Sequence, residues 1–215
     1  MINDNRIEKW VRIFEEATEE YHRMNSVDVE VKNPYGKGSL ELMLFRKNYI
    51  DAVQWHLEDI IRNPRIIPEE ALIIKRRIDR SNQERTDIVE QIDDYLRDLY
   101  KDVKVLPEAT LNTESPAWAM DRLSILILKV YHMRQEVNRS DVPVEHRERC
   151  AAKLEVLLEQ KADLCEAINQ LFTDITTGHC RMKVYKQMKM YNDPSLNPVL
   201  YCYGQSVTHT AIGHR

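Results

Sequence analysis

The chain has 215 residues, of which 43% are hydrophobic and 31% are charged, and its formal net charge at pH 7 is −4. This length suits one large domain or two small ones, and the composition is that of a globular protein rather than a disordered one. The acidic balance argues against general affinity for nucleic acids, which needs a concentrated basic face, but is compatible with a small cationic pocket for an anionic metabolite.

Glycine and proline divide the sequence into five long segments with helical hydrophobic spacing. The predicted helices cover residues 5–25, 39–62, 68–102, 115–139 and 144–176. A short helix at 181–191 and an irregular arm at 192–215 follow, and no stretch shows the alternation of a strand. The sequence therefore predicts an all-α fold, in which five long antiparallel helices with short links form one bundle domain over residues 1–191.

The four cysteines form neither a CxxC pair nor the spacing of a zinc site. Cys150 and Cys165 fall on one predicted helix, too far apart to bond to each other, so free thiols in the cytosol are expected. The first residues are polar and lack the apolar region of a signal peptide. No apolar run approaches the ~18 residues of a membrane span. We therefore expect a cytoplasmic protein without a membrane span.

The second, third and fourth predicted helices carry polar side chains on faces that should be buried. The residues concerned are His56, Asp59, Asn82, Arg85, Asp121, Lys129 and His132. Because an unpaired buried charge costs several kcal/mol, these groups must face each other, water or a ligand. The fourth helix is apolar nearly all round and should be central. We therefore predict one polar layer shared by three helices.

The first interpretation of this layer is a pocket that binds, and could also transform, a small anionic metabolite. The predicted ligand-binding residues are Asn82, Arg85 and Lys129, with the two cations neutralising the anion and the amide orienting it.

The same interpretation assigns proton transfer to an imidazole. The predicted catalytic residues are His56, His132, Asp59 and Asp121, in which an aspartate fixes the tautomer of a histidine. These four also have the ligand types of a metal site, but they lack a tight local spacing such as HExxH, so no metal site is predicted. The sequence names no cofactor.

The second interpretation is a non-catalytic interaction or scaffold protein whose buried charges only set the register of the helices. In that case Arg85 forms an ion pair with a facing carboxylate, either Asp121 or Asp59. Neither interpretation fixes the oligomeric state, and a homo-oligomer is compatible with both.

Several motifs, taken together, resemble a known family. They are Trp55-His56-Leu57-Glu58-Asp59, Ile78-Asp79-x-x-Asn82-Gln83-x-Arg85, Glu114-Ser115-Pro116, Asp121-Arg122-Leu123-Ser124-Ile125-Leu126, Lys129-x-x-His132-Met133 and Lys189-Met190-Tyr191-Asn192-Asp193-Pro194. Over residues 40 to 200 the chain is similar to the bacterial domain-of-unknown-function family DUF4254. The resemblance implies a helical bacterial protein and brings no established activity.

Overall fold

The computed structural model describes residues 6–190 and 193–202. The chain divides into two units, residues 1–184 and residues 185–215. The first unit holds five long helices and one pair of two-residue strands. The helices are α1 (Arg6–Met24), α2 (Leu40–Ile61), α3 (Pro68–Leu99), α4 (Pro116–Val137) and α5 (Val144–Thr176). The all-α prediction is confirmed, and each end of the five long predicted helices falls within three residues of the observed one.

Local sequence explains where these helices begin. Ser39 precedes α2 and its hydroxyl accepts a hydrogen bond from the backbone N–H of Leu42 at 3.1 Å, which satisfies one unpaired donor of the first turn. Ser115 caps α4 in the same way through the N–H of Trp118, as predicted. Proline occupies the first turn of α3 and of α4, where its missing N–H costs nothing.

The core of the first unit lies among α1, α2, α3 and α4, and the last part of α5 closes it. Its fully buried apolar side chains include Phe14, Leu44, Val89, Leu96 and Leu123. Helix α4 packs against each of the other four helices, as its apolar character predicted. Helix α2 also packs against three neighbours, α1, α3 and α4. These two helices therefore position any side chain that lies inside the bundle.

The prediction of a short helix at 181–191 is wrong, because the described residues of this segment form no helix. Strand β2 (Cys180–Arg181) pairs in parallel with β1 (Thr110–Leu111), and residues 182–190 form no helix; residue 191 lies outside the described part. The pairing of β2 with β1 holds the chain in an extended conformation after α5, in place of the first predicted turn of helix. In the second unit, residues 198–202 are helical, where an irregular arm was expected.

All four cysteines are free thiols, as predicted, and Cys150 and Cys180 are buried. None of the helices in the described ranges is long and apolar enough to cross a membrane.

Gly178 makes the turn that ends α5 and brings the chain back to the loop before β1. Its φ is +81°, and a Cβ at this position would collide with the carbonyl oxygen of Lys104. The Gly178 carbonyl accepts a hydrogen bond from Leu106 N–H at 3.0 Å. The position therefore requires glycine both for its backbone conformation and for the close approach of the loop.

We expect Gly178→Ala to destabilise the protein by more than about 2 kcal/mol, because backbone strain and a backbone clash add. Gly38 has φ +79° with open space around its Cβ position, so Gly38→Ala should cost only about 1–2 kcal/mol. Gly36 has neither feature, and Gly36→Ala should change little. Urea unfolding of the three variants measures the series. Equal losses for Gly178→Ala and Gly38→Ala would show that the Lys104 contact does not matter.

Candidate functional site

Four charged side chains from three helices form a closed ion network inside the bundle. Lys47 Nζ bonds to Asp51, one turn further along α2, and lies 2.9 Å from Asp121 Oδ1 of α4. Arg85 of α3 donates from Nη2 to both oxygens of Asp121, at 2.7 and 2.9 Å. Its Nε also lies 3.2 Å from Asp51 Oδ1. The two cations and two carboxylates therefore balance each other.

Neutral side chains extend this network to α1. The hydroxyl of Ser124 donates to Asp51 Oδ2 at 2.6 Å. Asn48 Nδ2 donates to the Ser124 hydroxyl and carbonyl at 3.1 and 3.2 Å, and its Oδ1 accepts from the Thr18 hydroxyl at 2.8 Å. All three side chains are buried. Buried polar groups that are satisfied in this way stabilise one arrangement of the helices that carry them.

Burial and charge act in opposite directions on the two carboxyl groups. Burial raises the pKa of Asp51 above its ordinary value, against the attraction of Lys47. At Asp121 burial also opposes ionisation, but the charges of Lys47 and Arg85 together hold its pKa below the ordinary value. Asp121 is therefore the firmly ionised partner of Arg85, and Asp51 is the group that takes up a proton first when the pH falls.

A cleft of about 400 Å³ opens between α2, α3 and α4 above this network. Its lining includes Gln54, Trp55, Asp59, Arg62 and Arg85. Side chains of Lys47, Asp51 and Asp121 are 1 to 5% exposed, whereas that of Arg85 is 26% exposed. Asp51 and Arg85 are the members of the network that line the cleft, and the Arg85 guanidinium is the more exposed of the two.

Three histidines from α1, α2 and α4 meet next to the cleft. They are His22, His56 and His132, and one ring nitrogen of each lies within 4.8 Å of the others. Trp55, which lines the cleft, stacks on His132 with ring centroids 4.6 Å apart and an interplanar angle of 8°. Tyr21 stacks on His56 at 4.9 Å. Aromatic side chains thus hold two of the three imidazoles in place.

The hydrogen bonds of this histidine cluster define part of its protonation. His22 Nδ1 lies 2.7 Å from the carbonyl oxygen of Thr18, which only accepts, so Nδ1 donates and Nε2 carries the lone pair. That Nε2 lies 3.3 Å from His56 Nε2. The other nitrogen of His56, Nδ1, lies 3.9 Å from an Asp59 oxygen. His132 Nε2 is buried without a hydrogen-bond partner among the described residues.

All three imidazoles are held in the neutral form. Burial lowers the pKa of His22, and burial together with the neighbouring His22 lowers the pKa of His56. The effect is largest at His132, where burial, His22 and His56 lower the pKa to about 4. At neutral pH the cluster therefore offers uncharged imidazole nitrogens rather than cations.

The structure divides the predicted polar layer into two groups. Arg85 and Asp121 lie together in the ion network, and His56, His132 and Asp59 lie together at the histidine cluster. Of the two carboxylates predicted to face Arg85, Asp121 does so and Asp59 does not, and Asp121 faces cations rather than a histidine. Asn82 accepts a hydrogen bond from Gln54 at 2.8 Å, beside the cleft. Lys129 is exposed and lines a different cleft, between α4 and α5.

The sequence analysis did not identify two residues of these groups, Lys47 of the ion network and His22 of the histidine cluster. The sequence contains a signal for Lys47, because the spacing of buried Leu40 and Leu44 continues to Lys47 and then to Asp51. His22 has no such signal, since it lies at the end of α1 and joins the cluster only through contacts between helices.

A comparison with known protein families finds a match over most of the bundle. The family model "Protein of unknown function (DUF4254)" matches residues 41–184, a region that contains α2 to α5. The match begins after α1, and so after His22, and ends before the motif at 189–194. No curated protein and no solved structure matches the chain.

We expect Lys47→Met to lower the free energy of unfolding by about 3–5 kcal/mol, because it leaves two buried carboxylates with one cation. Lys75 and Asp79 of α3 form the matched control, since they have the same i,i+4 spacing but both side chains are more than half exposed. Lys75→Met should cost less than about 1 kcal/mol. Urea unfolding at neutral pH measures both. Similar losses in the two variants would mean that the buried network contributes no more than a surface pair.

The depressed histidine pKa values predict a loss of stability in acid. A histidine whose pKa is about 4 in the folded protein and about 6.5 when unfolded binds its proton more readily in the unfolded chain. The contribution of His132 to the free energy of unfolding should therefore have its full value above about pH 6.5 and decrease as the pH falls towards 4. Thermal melts in chelator-treated buffer follow this fall. His132→Phe should reduce it, and His179→Phe, which changes an exposed histidine, should not. An unchanged pH profile in His132→Phe would contradict the assignment.

Proposed function

The chain belongs to the DUF4254 family, and we propose that it binds a small anionic metabolite in the cleft between α2, α3 and α4. One observation carries this proposal. A buried, charge-balanced ion network has a single partly exposed member, and that member is the Arg85 guanidinium.

The geometry of Arg85 favours an anion with at least two oxygens. Asp51 and Asp121 bind its Nε and Nη2, whereas Nη1 makes no hydrogen bond to any residue within 6–190 or 193–202. The two carboxylates also fix the plane of the guanidinium, so little side-chain entropy is lost when a ligand binds. A carboxylate or phosphate group is the chemical class that such an arginine recognises.

The rest of the lining suits the polar body of a small molecule. Gln54 is held by Ser81 and Asn82 through hydrogen bonds of 3.2 and 2.8 Å. Glu58 and Arg62 pair with each other at 3.0 Å at the rim. Acidic and amide side chains accept hydrogen bonds from hydroxyl groups, and Trp55 supplies an apolar wall. The volume of about 400 Å³ is that of a pocket for a small metabolite. A phosphorylated or carboxylated compound with several hydroxyl groups fits this description.

We also propose that proton transfer, where the bound ligand undergoes it, falls to Asp59, with His56 behind it as its imidazole partner. Asp59 lines the cleft and lies 3.9 Å from His56 Nδ1. His132 contacts the cleft only through Trp55, on which it stacks. Asp121 and Asn82 act by holding Arg85 and Gln54, and Lys129 has no part because it lines another cleft.

A thermal-shift screen of phosphorylated sugars, nucleotides and small carboxylic acids tests the proposal. A compound present at 100 times its dissociation constant should stabilise the parent protein by about 2.7 kcal/mol. Arg85→Lys keeps the charge but loses the planar fork, so it should reduce or abolish the ligand-induced shift. Arg62→Gln, at the rim, should weaken it.

The matched control is Arg122→Lys, which changes an exposed arginine of α4 that lines the other cleft. This variant should keep the parental shift. If no compound stabilises the parent, or if the shift survives Arg85→Lys unchanged, the ion network is purely structural. The protein would then belong to the class of non-catalytic interaction or scaffold proteins.

A further inference from the structure

We propose that His22, His56 and His132 form a binding site for a divalent transition-metal ion of the zinc type, with three imidazole ligands and one position left open. This inference does not rest on the proposed anion site, because none of the three histidines lines that cleft.

One distance already fits two ligands of one ion, and the third ring nitrogen lies nearby. One ring nitrogen of each histidine lies within 4.8 Å of the others, and the Nε2 atoms of His22 and His56 are 3.3 Å apart. Three nitrogens at about 2.0–2.1 Å from a tetrahedral zinc ion lie about 3.3 Å from each other. The side chains are half-buried, so an ion could reach them from solvent. They come from α1, α2 and α4, which the bundle core holds in place.

The orientation of the rings also fits metal binding. The hydrogen bond from His22 Nδ1 to the Thr18 carbonyl leaves Nε2 with its lone pair, as a ligand requires. His56 places Nδ1 towards Asp59, so that its other nitrogen faces His22. A carbonyl or carboxylate behind a ligating histidine is the usual arrangement in metal sites.

A purely structural role does not account for this cluster. A histidine kept for packing should satisfy its nitrogens, yet His132 Nε2 is buried without a hydrogen-bond partner among the described residues. A bound ion would give this nitrogen a partner.

The chemistry of the ligands limits the choice of ion. Imidazole suits zinc, copper, iron and nickel, whereas calcium and magnesium prefer oxygen ligands. Three protein ligands with an open fourth position are typical of catalytic rather than structural zinc sites. The open position of this site would take a water molecule or a donor atom of a small ligand.

A second group of metal-ligand side chains, Glu136, His146 and Cys150, fits less well. Glu136 already pairs with Arg139 at 3.0 Å, and His146 Nε2 accepts or donates to both of its companions. The experiment must nevertheless distinguish the two groups. Only the second group contains a cysteine, so a thiolate ligand would identify it.

The test uses the full chain, stripped with a chelator and titrated with Zn²⁺ by calorimetry near pH 7, where the imidazoles are neutral. We expect one ion per chain. Co²⁺ should give the visible absorption of a low-symmetry site without a thiolate charge-transfer band. His22→Gln, His56→Gln and His132→Gln should each weaken Zn²⁺ binding more than about tenfold, since even indirect partners of metal ligands contribute that much.

The controls are His179→Gln, an exposed histidine outside the cluster, and Cys150→Ser, which removes the thiol of the second group. Both should bind Zn²⁺ like the parent. Circular dichroism confirms the folding of each variant, and the Co²⁺ spectrum of the parent tests the site without any substitution. Failure of the parent to bind Zn²⁺ or Co²⁺, a thiolate band, or parental affinity in all three histidine variants would each overturn the proposal.

Discussion

The need to pair every buried charge governs the arrangement of α2, α3 and α4. Two cations and two carboxylates form the ion network, and each would cost several kcal/mol if it were left alone. Helix α2 supplies Lys47 and Asp51, α3 supplies Arg85, and α4 supplies Asp121. A shift of any one helix by a turn would separate these partners. The network therefore fixes the register of three helices at once, which hydrophobic packing alone does not do.

This constraint also explains where the protein offers groups to a ligand. The network is closed on its inner side, where Ser124 satisfies Asp51. On its outer side it exposes part of Arg85, which lines the cleft beside the more deeply buried Asp51. The carboxylates offset the cost of burying the guanidinium and fix its orientation. In the proposed site, binding and stability would depend on the same side chains.

The two proposed sites share helices and meet at Asp59 and His56, although none of the three histidines lines the cleft. Helix α4 carries Asp121 in its first turns and His132 near its end, about 16 Å further along its axis. Helix α2 likewise carries Asp51 and, beyond it, His56. Trp55 lies between them, because it lines the cleft and stacks on His132.

The sequence by itself determined the five long helices and their approximate ends, because proline, glycine, caps and hydrophobic spacing act locally. It also indicated that Arg85 faces a carboxylate, but left Asp121 and Asp59 as alternatives. Only the tertiary structure decided which faces are buried. Helix α2 is covered on several sides, so its hydrophobic pattern does not select one face, and the burial of Lys47 follows from the position of α4. His22 joins His56 and His132, whereas Lys129 faces α5 instead. Such contacts depend on the rotation and crossing angles of neighbouring helices, which no local pattern along the chain encodes.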